Sequence, residues 1–145
     1  MNTSTQHNIA SLVTLATSVL PQAATGNVNG ATIDRFIHNM ALSCVLHQVA
    51  GASSGAPTAI SLSAKLQHSP DGTTWTDYIA PGTATVAATP ALSAINTEAS
   101  VSIDLASAYR YIRAVSLLTL TGGTTPTLLT ATDIVLGGEP LDPAA

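Results

Sequence analysis

Hydrophobic residues recur with a period of two through the middle of this chain, and turn-forming residues close each run. Ile60, Leu62, Ala64 and Leu66 alternate with Ser61, Ser63, Lys65 and Gln67. Successive side chains leave a strand on opposite sides, so this spacing is that of a strand with one buried face. Ser69-Pro70-Asp71-Gly72 follows. Proline presets one backbone angle and glycine accepts positive φ, which together make a turn. Residues 73–79 resume with β-branched and aromatic side chains, so 59–79 reads as a hairpin.

The pattern extends in both directions. Val101, Ile103 and Leu105 share one side of a strand over 99–105, with Ser100, Ser102 and Asp104 on the other. A long strand over 109–120 and a last one over 127–136 flank the loop from Thr121 to Pro126. Upstream, 12–20, 32–38 and 42–50 read as strands, the last joined to the Ile60 strand by the glycine-containing segment 51–57. Phe36, Met40, Cys44 and Gln48 recur at a spacing that would also suit a helix over 36–49. The β-branched Ile37, Val45 and Val49 and the bounding glycine loops favour strand. The expected fold is all-β: an antiparallel, jelly-roll-like β-sandwich of about seven or eight strands. It would span 12–138, with a flexible arm at 1–11 and a tail at 139–145.

Two of these strands are apolar on both faces, whereas a small two-layer sandwich should present polar residues outward. In 109–120, Tyr109, Tyr111, Val115 and Leu117 oppose Ile112, Ala114, Leu118 and Leu120. The stretch 12–20 behaves alike. Large apolar surfaces mark contacts with other chains, so the candidate interface residues are Leu12, Leu15 and Val19 with Tyr111, Arg113 and Leu117.

Composition excludes several partners. Only 8% of the residues are charged, against roughly 25% in an ordinary soluble domain, and the 46% hydrophobic content argues against disorder. Four Lys and Arg cannot provide the cationic footprint that binding to nucleic acid requires. A net charge of −4 gives no attraction to an acidic membrane surface. The uncharged stretches 1–33 and 114–132 are broken by polar residues, glycine and proline, so neither offers the roughly 20 apolar residues of a spanning helix. No basic segment followed by an apolar one opens the chain, as a secretory signal would. One cysteine, Cys44, allows no intrachain disulfide, and the expectation is a chain made in a reducing compartment.

Candidate chemistry is sparse. Gly51-Ala52-Ser53-Ser54-Gly55 matches G-x-S-x-G, but a nucleophile elbow needs a strand turning into a helix, and here Pro57 and another strand follow. His7, His38, His47 and His68 share no metal-ligand spacing. Asp71 and Asp77 flank a turn without forming a calcium loop. Cys44 reads as a small buried hydrophobe. Arg110 and Arg113, three apart, would point to opposite faces of one strand, leaving a salt bridge or a subunit contact as their role. Trp75, Tyr78, Tyr109 and Tyr111 could stack on a sugar if two of them share a surface, although aromatic content is only 3%. The carboxylates are too scattered to nominate an acid–base pair. The residues predict neither enzymatic activity nor a cofactor or metal.

Four phrases carry a resemblance: Val28-Asn29-Gly30-Ala31-Thr32-Ile33-Asp34-Arg35-Phe36, Lys65-Leu66-Gln67-His68-Ser69-Pro70-Asp71-Gly72, the strand pair over 97–113, and Ala131-Thr132-Asp133-Ile134-Val135-Leu136-Gly137-Gly138. Together they resemble small structural proteins of tailed bacteriophages, of the capsid decoration or cement kind. The resemblance implies a virion protein synthesised in the host cytoplasm and bound to the capsid exterior. Its partners would be the major capsid protein and its own copies, in a homo-oligomer for which the trimer is the common form. Similar proteins serve in tails and at head–tail connectors, and a carbohydrate-binding surface module is the further alternative.

Overall fold

The computed structural model describes residues 12–138; the expected arm and tail lie outside them. The chain runs through β1 (Val13–Ala24), β2 (Val28–Asn29), β3 (Ile33–Asp34), a 3-10 turn (Arg35–His38), β4 (Ser43–Ser54), β5 (Ala59–Ser69), β6 (Thr76–Asp77), β7 (Thr97–Asp104), β8 (Tyr111–Thr121) and β9 (Thr127–Gly137). One sheet has the order β1-β9-β4-β7; the other has β2-β8-β5-β6, with β3 also on β8. All these pairings are antiparallel. Taken as one interrupted edge strand, β2 and β3 complete the strand order of a jelly roll, so the expected all-β sandwich is what forms.

Differences from the sequence reading have local causes. Residues 32–38 are not one strand, because the Asp34 carboxylate accepts the Phe36 N–H at 3.0 Å and starts the 3-10 turn. Of 73–79 only Thr76–Asp77 forms a strand, with Ile79 in an isolated bridge to Val86. The segment after Tyr78 instead lies along the free edge of β5. Leu66 N–H donates to Ala87 O (2.9 Å), Thr89 N–H to Ala64 O (2.8 Å), and Leu62 and Leu92 exchange bonds of 2.9 and 2.7 Å. Pro81 and Pro90 lack the N–H groups that a continuous ladder would need there. On the opposite side β1 continues past Pro21, where register shifts between Thr17 and Gln22 break its pairing with β9. An edge strand tolerates both features.

Alternation sorts the inner faces into two clusters. Cys44, Leu46, Leu66, Tyr78, Ile103, Leu105, Ile112, Ile134 and Leu136 fill one end; Ala24, Ala50, Leu62, Leu118 and Leu128 fill the other. A polar layer separates them at the intervening rungs of β4, β8 and β9: Gln48, Ser116, Thr130 and Thr132, all buried. Gln48 Nε2 donates to Thr130 Oγ1 (2.6 Å) and Ala131 O (3.0 Å), and Thr132 Oγ1 donates to Gln48 Oε1 (2.7 Å). Buried amides are tolerated when satisfied in this way.

The 3-10 turn delivers Arg35 into the core at 1% exposure. Its Nη1 donates to Ala108 O (2.6 Å) and Tyr109 O (3.0 Å), and its Nη2 to Ala41 O (2.7 Å) and Leu105 O (3.2 Å). A guanidinium presents a fork of donors, so one side chain ties the loop before β4 to the loop between β7 and β8.

Candidate contact faces

The register gives each sheet an outer face of distinct chemistry. On the second sheet, Tyr111, Arg113, Val115 and Leu117 of β8 lie opposite Ser69, Gln67, Lys65 and Ser63 of β5, and Asp77 of β6 adjoins Gln67. These side chains form a fixed row. Arg113 Nε and Nη2 both donate to Gln67 Oε1 (3.0 and 2.8 Å), Gln67 Nε2 donates to Asp77 Oδ1 (2.8 Å), and Lys65 Nζ donates to Asp77 Oδ2 (2.9 Å). The Lys65 bond, then that of Gln67, holds the Asp77 carboxyl below its ordinary value. Arg113 lies over the Trp75 ring, 4.4 Å from its centroid. Partial burial lowers the Arg113 guanidinium from its ordinary value.

The same face continues to the 3-10 turn. Arg110 holds Asp34 through two bonds of 2.9 and 2.7 Å and sits 5.1 Å from the Phe36 ring centroid and 5.0 Å from that of Tyr111. The bidentate contact lowers the Asp34 carboxyl and raises the Arg110 guanidinium. Of the four Lys and Arg in the chain, the three that are not buried therefore sit on this side. Arg110 and Arg113 do not point apart as strand parity predicts, because Arg110 precedes the first residue of β8 and parity governs only the strand. Asp104 joins neither of them; its carboxylate accepts the Ala106 N–H at 2.8 Å.

The outer face of the first sheet carries aliphatic patches along β1, β9 and β4 and bears no Lys or Arg among the described residues. Leu15, Val135 and Val45 form one rung, and Val49, Ala131 and Leu129 lie toward the other end. Pro21, Val49, Gly51, Leu129, Thr130 and Ala131 line a shallow hollow of about 220 Å³. Leu15 is 65% exposed and Leu20 67%, with Leu12, Val13 and Leu129 also exposed. A polar rung crosses this face: Thr17 Oγ1 donates to Asp133 Oδ1 (2.8 Å), and His47 Nε2 lies 3.0 Å from Glu98 Oε2.

The expected interface residues are divided between these faces. Leu15 belongs to the aliphatic side and Leu12 is exposed just ahead of β1, while Tyr111, Arg113 and Leu117 belong to the cationic and aromatic side. Val19 is a correction. It is 1% exposed, turned inward where β1 shifts register, and offers no surface. The four aromatic residues likewise separate. Trp75 and Tyr111 share the outer face of the second sheet, whereas Tyr78 is buried, donating its hydroxyl to Asp104 O at 2.6 Å. Tyr109 stacks on His68 at 4.4 Å.

His38 closes the 3-10 turn instead of lying in a strand, and His7 falls outside the described residues. Among the described residues no group of three or more His, Cys, Asp or Glu could hold a metal, and no helix is long and apolar enough to cross a membrane. Ser53 and Ser54 end β4, and the positive φ of Gly55 (73°) turns the chain into β5 without a helix. The sequence reading missed Phe36, 66% exposed, and Leu129. The adjacent pair Leu128-Leu129 was the available signal for Leu129, since consecutive strand residues cannot both point inward. Nothing in the sequence alone joins Phe36 to Arg110.

No family model matches the chain, and no curated protein matches it. Among solved structures, the crystal structure of SPBc2 prophage-derived protein YomS is similar at 12% identity and a TM-score of 0.42, over 86% of this chain and 95% of that one. That neighbour is itself prophage-derived.

Proposed function

We propose that the chain is a structural component of a tailed-phage particle, bound as a homo-oligomer to the outside of the capsid and stabilising it through contacts with the major capsid protein. The observation that carries this reading is the set of apolar side chains exposed along the β1 edge of the first sheet, Leu15, Leu20 and the neighbouring Leu129, with Leu12 exposed just ahead of it. Exposed apolar patches of this kind, one at each end of the face, mark a contact with another chain. The phrases over 28–36, 65–72, 97–113 and 131–138 that resemble decoration proteins supply the particle and the partner. Ligands that bind only the assembled state stabilise it by mass action, and many copies multiply modest contacts.

Copy number in purified particles, measured by quantitative mass spectrometry against the major capsid protein, tests the reading. A ratio near one per capsid subunit, or one trimer per local three-fold, supports decoration. A handful of copies per particle would move the protein to the tail or connector, and absence from the particle would overturn the structural role. The shared surface of Trp75 and Tyr111 favours a second reading, carbohydrate binding on that face. Quenching or a shift of Trp75 fluorescence on titration with glycans would support it.

A further inference from the structure

His68 stands at the end of the sandwich that Arg35 holds together, and its environment is built from the loop that Arg35 also grips. The imidazole stacks on Tyr109 with ring centroids 4.4 Å apart and meets Tyr78 edge-on at 5.0 Å. Its Nδ1 accepts the backbone N–H of Tyr109 at 3.2 Å. Only the neutral ring can accept there, because both nitrogens of an imidazolium are donors.

The groups around His68 offer a proton no compensation. Tyr78 faces it from the segment after β6 and Tyr109 from the loop between β7 and β8, and the Arg35 charge acts on it from the 3-10 turn. Its cross-strand neighbours are Ile112 of β8 and Thr76 of β6. Among the described residues it forms an ion pair with no carboxylate. Arg35 itself is matched by carbonyl oxygens and not by a counter-ion.

We infer that His68 is an acid-operated latch on the segment 105–110: the neutral ring holds Tyr109 in place through its stack and the Nδ1 bond, and the protonated ring releases it. Protonation turns the Nδ1 acceptor into a donor that faces a donor, and adds a positive charge that Arg35 repels. Both changes act on one short segment, which leads directly into Arg110 and Tyr111. Acid therefore loosens the end of the cationic and aromatic face while the strands behind it persist.

The sign follows from the imidazole's position. Burial first, and Arg35 second, hold it below its ordinary value of 6.5. The closed segment consequently binds fewer protons than the open one. The closed form has its full stability above about pH 6.5 and loses it as the pH falls toward the lowered value.

The test is hydrogen exchange and NMR on the intact chain between about pH 7.5 and pH 5. After correction for the intrinsic exchange rate, Tyr109 amide protection should hold above about pH 6.5 and fall as His68 takes up a proton below it. The Tyr109 amide resonance should follow the His68 ring titration. His68→Gln, which keeps an acceptor but cannot titrate, should abolish the fall, and His47→Gln should leave it intact. Protection that persists through the His68 titration, or that falls equally in His68→Gln, would overturn the latch. Should His68→Gln not fold, the wild-type chain still decides: a Tyr109 amide that ignores the His68 titration rejects the inference.

Discussion

Replacing Arg35 with methionine tests whether one buried cation organises an end of this sandwich. Methionine keeps an unbranched apolar stem of similar reach and removes every donor. The carbonyls of Ala41, Ala108 and Tyr109 then lose bonds of 2.7, 2.6 and 3.0 Å. Leu105 O is less affected, because the Ala108 N–H also donates to it at 3.0 Å. An unpaired buried acceptor costs about 1–3 kcal/mol, so three of them set an upper bound near 9 kcal/mol. Against this, the folded state no longer has to dehydrate a guanidinium, a penalty of several kcal/mol. The expected net loss is about 3 kcal/mol, or about 10 °C in Tm for a domain of this size. Urea unfolding read by Trp75 fluorescence and by circular dichroism should show a lower midpoint with an unchanged slope. Arg35→Lys should fall between, since an ammonium is a single point and cannot span both loops as the fork does. An Arg35→Met protein within about 0.5 kcal/mol of wild type would refute the reasoning, because dehydration would then cancel the carbonyl bonds entirely.

Three further outcomes follow from single sites. Gly30→Ala should destabilise by about 2 kcal/mol or more in the same urea assay, because a Cβ there would run into Ser18 Oγ and lie 2.7 Å from Ala114 O. Cys44, whose thiol burial pushes up to about 12, should resist a thiol reagent in the native protein and react fully in denaturant. Asp71 accepts the Thr74 and Thr73 backbone N–H groups and the Ser69 hydroxyl, which hold its carboxyl well below the ordinary 3.8. Its contribution is thus present above about pH 4 and lost as the pH falls toward the lowered value. A thermal melt series should show wild type losing more Tm on acidification from about pH 5 to pH 2 than Asp71→Asn does; parallel losses would show that the turn is not charge-assisted.

Much of the fold was legible because alternation is a local signal. The inward set on β5, Leu62, Ala64 and Leu66, is the one that the sequence pattern singles out, and Val101, Ile103 and Leu105 likewise turn inward. The two-faced character of 109–120 was also legible: Ile112, Ala114 and Leu118 are buried, while Tyr111, Arg113 and Leu117 lie outward. Val19 broke the pattern because a register shift in β1 turns it inward, and such shifts leave no mark in hydrophobic spacing. Gln48 was legible only as one more position in an apolar run; its burial depends on Thr130 and Thr132, which a different strand supplies.

The sequence by itself therefore determined the class of structure: strands, turns and the side of each strand that avoids water. Those properties depend on neighbours within a few residues, where spacing and side-chain chemistry are fixed by the chain. Tertiary structure alone decided which strands share a sheet and thereby which side chains meet. It joined Asp34 to Arg110, Gln67 to Arg113 and His68 to Tyr109, and it gave Arg35 its ring of carbonyls. Such contacts bridge residues far apart in the chain, and their geometry exists only once the two sheets have closed on each other.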